Sequence, residues 1–294
     1  MDGISFRSGR PDDLEAIKTF TIGTFEWGDY VSEEFLSWLD RADSLAIVAS
    51  ANGDRPVGLV RVRMLSPKEA WLSGVRVHPD HRRLGVGSEL NAHGVEWARE
   101  RGADVVRLAT EESNTPARRQ VEKLGYRSVA VFTLAVRNFE QHGDEANGGR
   151  RPPGPERFDQ APAAEAEPAF MVWSTQDLVN TAHGLYAAEG WAFRRLLSGD
   201  VAGAARARQL WTCPAGWAIT EERDGEVWVP LLVTTPDDAE RAARALVDLT
   251  VEHGATRLAA MVPRVPWLEE ALANQHLTPK HPNHIYERAL YNSR

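Results

Sequence analysis

Binding a phosphate takes hydrogen-bond donors and positive charge held close together. One stretch of this chain supplies both. Trp71 to Leu90 reads WLSGVRVHPDHRRLGVGSEL. An apolar strand pattern runs into His78-Pro79. A basic, glycine-rich turn follows, Arg82-Arg83-Leu84-Gly85-Val86-Gly87, and a helix is expected to open by Ser88. Glycine lets the backbone bend tightly, so that successive N–H groups point at one centre. The helix N-terminus adds about half a positive charge. Arg82 and Arg83 add full charges at the rim.

Such a turn needs a strand before it and a helix after it, and the flanking sequence predicts a framework of both. Strands are expected at 4–8, 45–50, 57–64, 70–77, 104–110 and 126–136. Helices are expected from Arg10-Pro11-Asp12-Asp13 onward, then over 32–40, 87–101 and 114–124. The first of these starts with proline and acids where a first turn favours them. Asn52-Gly53-Asp54 reads as a hairpin turn.

This order, and two motifs within it, resemble the GNAT superfamily of N-acetyltransferases. Val77-His78-Pro79 followed by Arg82-x-x-Gly85-x-Gly87 is similar to the acyl-CoA signature of that family. Asn114, Ala117, Lys123 and Gly125 are similar to its second motif, with Tyr126 in the place of a phenylalanine. The resemblance covers residues 4 to 137. It implies an α/β (α+β) fold with a mixed sheet, acetyl-CoA as co-substrate, and an amine as acceptor. It further implies that the backbone of Val75, Arg76 and Val77 pairs with pantetheine. The amides across Arg83, Leu84, Gly85, Val86, Gly87 and Ser88 would hold the pyrophosphate, with Arg82 beside them. Asn114 has two open roles, contact with the CoA arm or the cap of its own helix. Glu26 and Trp27 fall where the family's acceptor groove is walled.

Acyl transfer to an amine needs a held thioester, a neutral amine, a donor for the oxyanion and a proton for the thiolate. Two familiar side chains are missing. Ser73 stands where many relatives carry an acid, and Val121 where they carry a tyrosine. Glu112, just past the fifth strand, is the remaining candidate base. The nine histidines show no metal-binding spacing, and no metal is expected.

The second half echoes the first weakly. Asp13-Leu14 matches Asp177-Leu178, and Trp27 matches Trp191. Trp71 matches Trp228, Pro79-Asp80 matches Pro236-Asp237, and Gly102-Ala103 matches Gly254-Ala255. Where the first half has its glycine-rich turn, the second has Asp237, Asp238 and Glu240 and no glycine. The expectation is two tandem copies of one fold, the second degenerate. Residues 1–140 would be the CoA-binding domain, 141–168 a flexible linker rich in Gly, Pro and Ala, and 169–294 the worn copy.

Composition bounds the rest. A chain of 294 residues with 43% apolar residues can fill two cores. A net charge of −8 excludes a general nucleic-acid surface and favours a cationic acceptor. A single cysteine, Cys213, fits a reducing compartment. No apolar run approaches the roughly 18 residues of a membrane span, and the N-terminus lacks the shape of a signal peptide, so a cytoplasmic location is expected. A homodimer stays open. Two rival readings are a non-catalytic acyl-CoA sensor and a dimerising interaction module.

Overall fold

The computed structural model describes residues 3–22, 28–51, 53–139 and 157–290. The chain opens with β1 (Ile4–Ser8), α1 (Leu14–Thr21) and α2 (Val31–Leu39). Three antiparallel strands follow, β2 (Ser44–Ala51), β3 (Arg55–Ser66) and β4 (Glu69–Val77). Then come α3 (Val86–Glu100), β5 (Val105–Glu111), α4 (Thr115–Lys123) and β6 (Arg127–Asn138). Each matches an element expected from sequence to within a few residues. The hairpin turn after β2 also forms, with Gly53 and Asp54 both at positive φ; Asn52 lies outside the described residues.

The remainder comprises β7 (Asp159–Gln160), α5 (Ala166–Thr175), α6 (Asp177–Thr181), β8 (Leu185–Glu189), β9 (Ala192–Arg195) and α7 (Ser198–Arg206). After these come β10 (Leu210–Cys213), β11 (Gly216–Arg223), β12 (Glu226–Val233), α8 (Ala239–Glu252) and β13 (Arg257–Pro263). The chain ends with α9 (Pro266–Asn274), β14 (Thr278–Pro279) and β15 (Asn283–Ala289). Part of the expected linker is built into this half. Phe158 and Ala161 are buried, and β7 pairs with β10, so the fold resumes by residue 157. The rest of that stretch, 140–156, lies outside the described residues.

The chain forms two compact units, and neither is a single run of sequence. The first holds residues 1–109, 119–127 and 286–294; the second holds 110–118 and 128–285. Strand order in the first is β1-β2-β3-β4-β5, followed by the end of β15. In the second it is β6-β13-β12-β11-β10-β7, with β14 beside β6. The last strand of the first unit thus comes from the far end of the chain, and β6 is spent in the second.

Two cores sandwich the sheet of the first unit. On one face α3 lays Val86, Leu90, Val95 and Ala98 against Val60 and Val62 of β3 and Ala70 and Leu72 of β4. Full burial of each large apolar side chain contributes about 1.5–3 kcal/mol. On the other face α1 and α2 set Ile17, Phe20, Phe35 and Trp38 against Ala46, Val48 and Leu59. The strand alternation makes this division, since successive residues point to opposite faces.

The second unit repeats several devices of the first. Arg7 grips Asp13 with two hydrogen bonds, of 2.7 and 2.8 Å, and the same carboxylate accepts the N–H of Arg10 at 2.8 Å. Arg194 grips Asp200 at 2.6 and 2.7 Å, and that carboxylate accepts the N–H of Leu197 at 2.8 Å. The two clasps share one geometry, while Asp177, matched to Asp13 from sequence, begins α6. Trp191, matched to Trp27 from sequence, is 46% exposed, and Trp27 lies outside the described residues. Trp71 and Trp228 are both 4% exposed, on β4 and β12. Ala103 and Ala255 each donate back to the last turn of α3 and α8. β12 pairs with β13 in parallel, as β4 does with β5.

A buried ion cluster ties the borrowed strand into the first unit. Arg107 on β5 bonds Glu287 of β15 at 2.8 Å and Glu69 of β4 on its other side. All three side chains are at most 10% exposed. Removing one partner of such a group strands a buried charge, which costs about 3–5 kcal/mol. Arg107→Met should lower unfolding stability by about that amount in urea titration. Adding Glu69→Gln and Glu287→Gln should recover most of the loss; no recovery would mean the cluster is not balanced by charge.

Candidate active site

β4 and β5 pair over only three positions, Glu69↔Val105, Ala70↔Val106 and Trp71↔Arg107. From Leu72 onward β4 has no strand partner on that side among the described residues. The cause is local. Between the pairs Leu59↔Arg76 and Arg61↔Ser73, two residues of β4, Gly74 and Val75, oppose the single Val60 of β3. This is a β-bulge, and bulges bend and twist the strand that carries them. Gly74 sits at φ +65°, where a Cβ would stand 2.8 Å from Trp38 Cη2. Only glycine fits there, both by backbone preference and by space.

The open edge leads into the glycine-rich turn. His78 closes the strand: its N–H bonds Val57 O at 2.8 Å, and its Nδ1 accepts the Asp80 N–H at 3.3 Å. Arg82 folds back and donates to Val77 O at 3.1 Å. Arg83 and Gly85 both adopt positive φ, +62° and +86°. The backbone N–H groups of Arg83, Leu84, Gly85, Val86 and Gly87 find no partner among the described residues, whereas those of Ser88 and Glu89 bond Gly85 O. Five unpaired donors at the start of α3 form an anion cradle. The turn from Arg82 to Gly85 is exposed, so a ligand can reach it.

One neighbour of the turn carries no sequence motif. A Cβ on Gly87 would lie 3.3 Å from Gln120 Nε2, 3.7 Å from Val77 and 4.0 Å from Val75. Val75, Val77 and Gln120 therefore stand around the cradle. Gln120 follows no motif letter, which is why sequence reading passed over it. Val121 instead packs into the core beside α3. Tyr126 is buried there too and bonds Asn91, and burial pushes its hydroxyl up to about 12.

The other site residues fall differently. Asn114 caps α4, its Oδ1 accepting the N–H of Ala117 at 3.2 Å, which is the second of its two expected roles. Glu112 is held in an ion pair. Arg264 bonds it at 2.9 Å, and His284 Nε2 lies 3.5 Å away. Desolvation pushes this carboxyl up, but Arg264 and His284 outweigh it and hold it below its ordinary value. That favours the ionised form and weakens it as a base. Both residues belong to the second unit, whereas the turn belongs to the first. Glu26 and Trp27 lie outside the described residues.

Residues 13–126 match the profile of the Acetyltransferase (GNAT) family, and this segment is a GNAT acetyltransferase domain. Over its whole length the chain shares its fold with a GCN5-related N-acetyltransferase from Sphaerobacter thermophilus. That match has a TM-score of 0.68 and 15% identity, and covers 100% of this chain and 98% of that one. The chain is 27% identical over 176 residues to streptothricin acetyltransferase of Streptomyces lavendulae, covering 48% of this chain and 90% of the relative. It is also 51% identical over 47 residues to acetyl transferase GW6a of Oryza sativa subsp. japonica, and this match spans 16% of the chain and 11% of that relative's length. Among the described residues no helix is long and apolar enough to cross a membrane.

Two outcomes test this geometry. Gly74→Ala should destabilise the fold, because an L residue at this φ costs about 1–2 kcal/mol before the contact with Trp38 is counted; an unchanged urea midpoint would show that the bulge relaxes freely. Glu112 has a folded pKa below its unfolded one. Its ion pair therefore stabilises the fold above the usual carboxylate range, and that contribution fades as pH falls through the folded value. Glu112→Gln should lower Tm at neutral pH, and the difference from the wild type should shrink as pH falls below the usual carboxylate range.

Proposed function

We propose that this protein moves an acetyl group from acetyl-CoA to the amine of an acceptor by direct transfer in a ternary complex. The observation that carries this reading is the union of an unpaired β4 edge with five unpaired amides at the start of α3. The edge from Ser73 to Val77 suits the amides of pantetheine, which would add to it as a strand does. The amides of Arg83 to Gly87 suit the pyrophosphate, with Ser88 and the charges of Arg82 and Arg83 close by.

The amine nitrogen forms a bond to the acetyl carbon while the carbon–sulfur bond breaks. The amine releases a proton and the departing sulfur takes one. Ser73 and Val121 cannot serve as base and acid in the familiar places, and Glu112 is held ionised by Arg264. The reading therefore assigns these proton transfers to solvent. Holding thioester and amine in line can supply roughly 7–11 kcal/mol without such groups. The repeated clasp, the parallel β12–β13 pair and the absence of glycine after β12 support the second unit as a degenerate tandem copy.

Gly87→Glu tests this directly. A Cβ there is crowded only by the flexible end of Gln120 and meets Val77 and Val75 at ordinary contact distance, so the fold should survive while a carboxylate enters the cradle. Calorimetric titration should show acetyl-CoA binding to the wild type and at least roughly tenfold weaker binding to the variant, the scale of one charge-assisted contact. A folded wild type that binds no acetyl-CoA would refute the reading. Binding without turnover on any amine would favour the sensor instead.

A further inference from the structure

The face of the first unit's sheet opposite α3 carries a buried guanidinium with little to neutralise it. Arg61 of β3 is 8% exposed. Its Nε donates to Ser44 Oγ at 3.1 Å, and no carboxylate of the described residues pairs with it. Its guanidinium lies over the Trp38 ring, 5.1 Å from the centroid. The nearby acids are engaged elsewhere. Glu34 accepts the Trp38 indole N–H at 3.1 Å, and Asp43 is gripped by Arg41 at 2.7 and 2.9 Å. A buried cation usually has a partner, because desolvating it alone is costly. Burial, together with Arg63 and Arg41, pulls the Arg61 guanidinium down to about 10.

Its location ties it to the transfer point. Arg61 pairs with Ser73, the residue just before the Gly74 bulge and two beyond the last β4–β5 pair. Directly opposed residues share a face of the sheet, so Arg61 and Ser73 stand side by side where β4 becomes free. The Ser73 and Tyr30 hydroxyls have no hydrogen-bond partner among the described residues. Tyr30 sits edge-on to Trp38, 6.3 Å between ring centroids. Arg61, Ser73 and Tyr30 thus place polar groups beside the open strand edge, walled by Trp38. The α3 face is filled by its own core, whereas on this face Tyr30 and Ser73 are only half-buried.

We infer that Arg61 binds the carboxylate of the acceptor, so that the substrate is an amine bearing a carboxylate, of the amino-acid class. A planar carboxylate fits the two free edges of a guanidinium. It would also supply the missing counter-charge. The net charge of the chain favours a cationic acceptor, but the local charge at this point is positive and governs a contact at hydrogen-bond range.

This assignment rests on the acyltransferase reading, and its test is separable from it. The twenty standard amino acids would be titrated into protein saturated with CoA, beside matched decarboxylated amines and carboxamides. The same panel would be assayed with acetyl-CoA for CoA release. At least one free acid should bind and react roughly 10–100-fold better than its decarboxylated partner, the scale of a charge-assisted contact. Arg61→Met should remove that preference through KM while leaving acetyl-CoA binding intact, and Arg61→Lys should restore part of it. Decarboxylated amines that serve as well as the acids would overturn the inference, as would equal losses on both in Arg61→Met. If the variant does not fold, the wild-type preference decides alone. Should acetyl-CoA fail to bind, the acyltransferase reading falls first. Amino acids would then be titrated into the free protein, and absence of binding there would sink the Arg61 assignment as well.

Discussion

The site exists because two parallel strands stop pairing after three positions. A continuous β4–β5 ladder would satisfy the β4 edge and leave no room for a ligand backbone. The bulge at Gly74 and Val75 breaks that continuity, and it needs a residue without a side chain. The neighbouring features then follow. Val75 turns outward, Ser73 comes to stand beside Arg61, and β4 reaches the turn at His78 with its edge free. The alternative, a longer ladder, would be better hydrogen-bonded within the protein and useless for binding an extended amide chain.

The two faces of the sheet divide the labour. α3 brings its N-terminal amides to the end of β4 and fills its own face with packed aliphatic side chains. The opposite face is covered less evenly, and near the bulge it exchanges aliphatic packing for arginine, tyrosine and tryptophan. A cofactor that enters by the turn and an acceptor that reaches the edge beside Ser73 would meet there without competing for space. The Arg107 cluster lies just before the opening, at the last paired position. It holds β4, β5 and the end of β15 together where the strands are about to part.

Much of this was legible in the residues. The strand, turn and helix around Gly85 have strong local signals: alternation, proline, glycine and helical spacing. The elements of the first 138 residues follow the expected order for the same reason. What the sequence hid was long-range. Glu287 as partner of Arg107 is 180 positions away in the chain, and no local pattern announces it. The repeated Arg-Asp clasp was missed because only its donors, carboxylate and spacing recur; Arg7 and Asp13 return as Arg194 and Asp200 amid unlike neighbours. Asn114 could be read two ways, since one amide side chain can cap a helix or meet a ligand, and the capping geometry is what the structure shows. Arg61 carried no motif at all. Its interest arises only from burial without a carboxylate, which is a property of the folded molecule.

The borrowed strand has a consequence for how the protein is made. Tyr286 to Ala289 complete the first unit, yet Tyr286 lies 159 positions beyond Arg127, the last earlier residue of that unit. At about 5–20 residues per second of synthesis, roughly 8–32 s separate the two. During that interval the growing chain carries an unfinished β5 edge and an Arg107 that lacks Glu287. Folding of the first unit is thereby coupled to synthesis of nearly all of the other, so translation itself sets the order in which the two are completed.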